Sequence, residues 1–135
     1  MESDELKYWL WWNRVPGIGP ARFYKLLEEF GSMKNAWLAS WLELKPLLGD
    51  KLIQSLQETK ENWDPELELK RIYQNGFRIY CFLDQDYPSA LKKISNPPPV
   101  LYAWGGFKYG DDLALAIVGT RNPTPLGAYN AKELA

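Results

Sequence analysis

The residues best equipped for chemistry are Gly119, Thr120 and Arg121, followed by Asn122-Pro123-Thr124-Pro125-Leu126-Gly127. They come directly after the apolar run Leu113-Ala114-Leu115-Ala116-Ile117-Val118, which predicts a strand. An apolar strand, a Gly/Thr/Arg turn and a proline-started helix make a phosphate-facing βα junction, because helix N-terminal N–H groups and an arginine fork both point toward bound anion. The same residues also suit an ordinary βα turn in which Thr120 and Thr124 cap and Arg121 is solvated.

A second candidate lies in Val15-Pro16-Gly17-Ile18-Gly19-Pro20. Two glycines around one apolar residue let the backbone turn tightly while Ile18 plugs an inter-helix core, leaving amides exposed beside a helix N-terminus. Gly17, Ile18 and Gly19 resemble the Gly-apolar-Gly turn of helix-hairpin-helix modules, which touches DNA backbone phosphates without reading sequence. A compact αα corner that needs glycine is the competing reading. Pro46-Leu47-Leu48-Gly49-Asp50-Lys51 resembles a degenerate second hairpin, with Asp50 a poor phosphate partner.

Other chemistries are excluded by composition. With no histidine and a single cysteine, Cys81, the 135 residues hold no disulfide framework, no zinc site of Cys/His type and no Ser-His or Cys-His nucleophile pair. No catalytic residue, metal ligand or cofactor is expected. Cys81 lies inside Phe77-Arg78-Ile79-Tyr80-Cys81-Phe82-Leu83, where an apolar strand position explains it, and an unpaired cysteine fits a reducing cytoplasm. No secretory leader and no run near 18 apolar residues is present, so no membrane span is expected. Charge is nearly balanced, 16 basic against 17 acidic residues. Nucleic-acid binding would therefore rest on a few placed groups and not on a general basic field.

The elements that must position these groups divide at Asn62-Trp63-Asp64-Pro65, a cap-and-proline signal. Residues 1–63 read as a helical module. Ser3 or Asp4 is expected to cap a first helix carrying Leu6, Trp9, Leu10 and Asn13. Pro20 opens a second helix that Gly31 ends, a third starts at Ser32 and buries Ala36, Trp37 and Trp41, and Leu52, Ile53 and Leu56 mark a fourth. Five of the seven tryptophans fall in the first 41 residues, as a small helical core requires. Trp9, Trp11 and Trp12 cannot all face that core, so one is expected at an interface with another part of the protein.

From residue 64 the pattern becomes helix (65–74), strand (77–83), a short helix from Tyr87-Pro88, an extended Pro97-Pro98-Pro99, strand (100–104) and the strand and helix that flank Arg121. This order predicts an α+β or α/β chain whose second unit, 64–135, begins an α/β sheet. A βαβ unit needs about 30 residues or more, and few remain after the loop. The chain therefore reads as the amino-terminal part of a longer α/β protein.

Asp86-Tyr87-Pro88 with Leu91 and Ile94, then Pro98-Pro99-Val100-Leu101-Tyr102 and Gly105, then Ala116-Ile117-Val118-Gly119-Thr120-Arg121, Pro123-Thr124 and Gly127 together resemble the DNA-processing protein A (DprA/Smf) family. The resemblance implies a sterile-alpha-motif-like or helix-hairpin-helix-like module followed by an extended Rossmann-like domain. It also implies a bacterial, cytoplasmic protein without catalytic activity that binds single-stranded DNA and helps load the RecA recombinase during natural transformation. Gly119, Thr120 and Arg121 would take the family's phosphate-binding role, with Gly119 allowing close backbone approach, Arg121 the charged contact and Gly127 letting the helix pack near the strand. The intact protein would be a homodimer and this part of it a monomer. Two other classes compete: a protein-interaction module built on the Trp-rich helices, and a nucleotide-binding Rossmann enzyme. The loop's lack of the G-x-G-x-x-G order and of a P-loop Lys-Ser/Thr pair weighs against the enzyme.

Overall fold

The computed structural model describes residues 3–107 and 116–135. The first helix, α1 (Ser3–Arg14), is followed by α2 (Pro20–Phe30), α3 (Met33–Leu38) and α4 (Trp41–Asn62). Then come α5 (Pro65–Gln74), β1 (Phe77–Cys81), α6 (Ser89–Lys92), β2 (Val100–Trp104) and α7 (Pro125–Leu134). Helices with a two-stranded antiparallel sheet make this an α+β arrangement.

Local chemistry sets the helix ends. Pro20 stands at the start of α2, Ser32 accepts a hydrogen bond from Asn35 N–H to open α3, and Ser40 with Glu43 forms a reciprocal capping box at α4. Asp64 accepts from the Glu66 and Leu67 amides ahead of α5. At α1 the outcome differs from the expected cap: Ser3 and Asp4 lie within the helix. Asp4 instead bridges Lys7 at 2.6 Å and Lys34 at 2.7 Å, while Glu5 Oε1 accepts from Met33 N–H at 2.8 Å. The acidic first turn of α1 thus fastens the start of α3, where a carboxylate also meets the positive end of that helix.

The core is aromatic at its centre. Trp9 and Trp12 are fully buried with Leu10, Phe23, Leu26, Met33, Leu44 and Leu56. Trp12 Nε1 donates to the Met33 carbonyl at 3.1 Å, so that ring is buried with its polar atom satisfied, whereas Trp9 Nε1 is buried with no hydrogen-bond partner among the described residues. Trp11 lies at the edge of this core: half-buried and packed against it, it stacks on Trp37 at 4.6 Å and donates from Nε1 to the Trp63 carbonyl at 3.3 Å. Trp41, expected inside, is 41 % exposed and starts α4, with Lys60 Nζ 5.0 Å from its ring.

The sheet closes one side of the same core. Phe77 pairs with Trp104, Ile79 with Tyr102 and Cys81 with Val100, so alternate residues share a face. Cys81 and Val100 at one end of that face belong to the helical core cluster, which therefore runs from α1 to β2. The 97–99 prolines are anchored by two hydroxyls: Tyr24 Oη donates to the Pro97 carbonyl at 3.0 Å and Tyr87 Oη to that of Pro98 at 2.8 Å. Of the third strand expected over 113–118, residues 113–115 lie outside the described residues and 116–118 carry no strand pairing. Ile117 and Val118 are exposed. The two strands observed run antiparallel, joined through α6, and no parallel pair occurs among the described residues.

Candidate nucleic-acid interface

The 15–19 turn is built from its glycines outward. Val15 and Ile18 are buried and point into the core, Ile18 N–H donates to the Val15 carbonyl at 3.1 Å, and Gly17 takes φ +89° between them. The positive φ demands glycine at 17; a Cβ there would also lie 2.6 Å from Leu52 Cδ2 on α4, a side-chain end that could shift to admit it. Gly19 differs. Its backbone is extended (φ −91°, ψ 179°) and a Cβ there would meet nothing within 4 Å. The fold does not need glycine at 19, and its exposed backbone stands at the amino end of α2, where no side chain caps the helix. Arg22, in the first turn of α2, is drawn back onto the Gly17 carbonyl at 3.2 Å.

The second turn resolves in a way the sequence only half shows. Helix α4 is interrupted at Gly49 (φ 74°, ψ 167°), giving two helical runs around Leu48-Gly49-Asp50-Lys51. The Gly17–Leu52 approach sets this break beside the first turn. Asp50, a poor phosphate partner by charge, is held by Lys45 at 2.7 Å, which offsets its negative charge locally.

Gly119, Thr120 and Arg121 are brought together just ahead of α7, and all three are exposed. Thr120 Oγ1 accepts from Asn122 N–H at 3.1 Å, a local turn bond. Thr124 caps α7 by accepting from Gly127 N–H at 3.2 Å. A Cβ on Gly127 would sit 3.3 Å from that hydroxyl oxygen, so the nearest neighbour of Gly127 is its own cap and not a strand. Arg121 makes no hydrogen bond or ion pair among the described residues. No hydrogen bond, ion pair or ring contact among the described residues joins this loop to the 15–19 hairpin.

Burial pushes the Cys81 thiol up, away from the thiolate form. Among the described residues no group of three or more His, Cys, Asp or Glu could hold a metal ion, and no helix is long and apolar enough to cross a membrane.

A family model described as DNA recombination-mediator protein A matches residues 78–135, the span that holds β2, the 119–127 loop and α7. Over its full length the chain is 34 % identical to Protein Smf of Synechocystis sp.. The chain belongs to the DprA/Smf family. It spans 35 % of the length of that Smf relative. The DprA/Smf-family chain is also similar to two proteins that share shorter stretches of themselves with it. Thermostable DNA polymerase I of Thermus aquaticus is 31 % identical over 121 residues, 73 % of this chain and 14 % of the polymerase. UvrABC system protein C of Pseudothermotoga lettingae is 46 % identical over 39 residues, 29 % of this chain and 7 % of that protein. No solved structure matches the DprA/Smf-family chain.

The structure assigns work to motif residues that spacing alone left silent. Tyr87 of Asp86-Tyr87-Pro88 is buried and ties down Pro98, while Phe82 lies between Tyr24 at 5.0 Å and Tyr87 at 5.6 Å. These contacts fix the approach to β2. The signal that could have found them is the pairing of an aromatic-proline motif with a downstream proline run whose carbonyls need donors.

Proposed function

We propose that this chain binds single-stranded DNA through the loop ahead of α7, as part of a protein of natural transformation that protects incoming DNA and helps load the RecA recombinase. The observation that carries the reading is the DNA recombination-mediator model spanning 78–135, inside which Arg121 stands exposed and unpaired among the described residues at a helix start. Gly119 lets a phosphate approach the backbone, Thr120 shapes the turn and Arg121 supplies a charge-assisted, bidentate contact. In the first turn of α7, Pro125 has no N–H and Gly127 gives its own to Thr124, so Leu126 N–H is the amide left to face the same anion.

In this reading residues 64–135 open a Rossmann-like domain and residues 1–63 form a sterile-alpha-motif-like or helix-hairpin-helix-like module. The 17–19 turn gives a second, sequence-independent phosphate contact. Its support is Gly19, which the fold leaves free to bear a side chain and which nevertheless has none. The protein is cytoplasmic, non-enzymatic and homodimeric when intact.

The test is a titration of the chain with oligo-dT at two salt concentrations. Binding with a measurable salt slope is expected, and Arg121→Ala should weaken it by roughly 1–3 kcal/mol. Unchanged affinity in the Arg121→Ala protein removes that residue from the interface.

A further inference from the structure

The far end of the β1–β2 sheet carries an aromatic surface that neither the loop nor the hairpin uses. Trp104, the last residue of β2, is 84 % exposed although it lies in a strand. Its in-register partner on β1 is Phe77, also exposed, and Tyr73 in the last turn of α5 is exposed as well. Trp104 is nonetheless seated: a Cβ on Gly76 would lie 3.8 Å from Nε1 and 3.9 Å from Cδ1, so the indole rests against the turn that links α5 to β1. A rigid ring with one side supported and the rest in solvent is costly to leave unused, since it exposes a large apolar area.

Cations stand near it. Arg71 is spoken for by Glu68 at 4.0 Å, which leaves Lys70 on α5 and Arg78 on β1 as the positive groups beside the aromatic residues. Arg78 follows Phe77 on β1 and leaves the strand on its other face, but its guanidinium reaches the loop after Trp104, with Nη1 3.3 Å from where a Cβ on Gly106 would be. Lys70 lies three residues before Tyr73 on the same face of α5. Flat aromatic faces flanked by cations match unpaired bases linked by phosphates. In a duplex those base faces are already stacked and out of reach, so the fit is to a single strand.

We propose that Trp104, with Phe77 and Tyr73, is a base-stacking platform for single-stranded nucleic acid, with Arg78 and Lys70 holding the adjoining phosphates. The inference rests on the single-stranded DNA reading above and adds to it a contact made through bases at the opposite end of β2 from the core.

The experiment measures oligo-dT affinity of the chain, its Trp104→Ala and Trp104→Phe variants and Arg121→Ala at two salt concentrations, beside a duplex of equal length. Trp104→Ala should lose about 5- to 150-fold in affinity for the single strand with an unchanged salt slope, since stacking releases no counterions. Trp104→Phe should recover most of that loss, and duplex binding should not move. Because the side chain is exposed, the urea midpoint should stay at the wild-type value. Full affinity in Trp104→Ala while Arg121→Ala binds weakly overturns the platform and leaves the loop reading standing. An equal loss on duplex overturns stacking as the mode of contact. Absence of any wild-type binding removes both proposals.

Discussion

At the residue scale the two glycines of the hairpin separate what folding needs from what binding needs. Gly17 takes φ +89°, a conformation an L side chain rarely adopts, so Gly17→Ala should cost about 1–2 kcal/mol in urea unfolding. Gly19 is under no such constraint. Gly19→Ala should keep stability to within about 1 kcal/mol, the difference between glycine and alanine at a helix cap. If the turn contacts a phosphate backbone, that same variant lowers oligonucleotide affinity; equal affinity confines the hairpin to a structural corner. The pattern Gly-Ile-Gly was plain in the sequence, but it could not divide the roles, because only the folded backbone gives Gly17 a positive φ and leaves Gly19 extended.

At the element scale, helix ends were the most legible feature and inter-helix fastenings the least. Pro20, Ser32 and Asp64 do at their helix starts what local chemistry requires. Asp4 has the composition of a capping residue but is recruited by Lys34 on the next-but-one helix, a partner 30 positions away. The side-chain bonds to Lys34 and Lys7 hold its carboxyl at about 2, below the ordinary 3.8. A carboxyl whose pKa is depressed on folding stabilises the native state above its unfolded value. The α1–α3 fastening should therefore be intact above about pH 4 and be lost as pH falls toward about 2. Comparing acid unfolding of the wild-type chain with that of Asp4→Asn tests this: the variant should lack that part of the pH dependence. Added salt should shrink the difference, since the pair is exposed.

At the scale of the whole molecule, the helices and the sheet share one core that spans the division expected at 63/64. Cys81 and Val100 sit in the cluster that holds Trp9, Trp12 and Leu56, and Trp11 bonds to Trp63 at the junction. Val100→Ala should thus cost about 2 kcal/mol and shift the helical circular dichroism and tryptophan fluorescence transitions together. Separate transitions would mean that the two parts unfold independently. The Trp9-Trp11-Trp12 spacing kept the three rings from all facing the helical core, and the structure shows where the third goes: Trp11 faces Trp37 and the start of α5.

The amino-acid order alone determined the helical pattern of the first 63 residues, the glycine turns, two of the three strands it suggested and the motif set that marks the DprA/Smf family. Each of these depends on neighbours a few positions apart. Tertiary structure decided which tryptophans are buried, that the two turns lie side by side, that Asp4 pairs with Lys34, and that Trp104 faces solvent at the sheet's far end. Those outcomes are set by distances between elements remote in sequence, where packing and charge pairing override local preference.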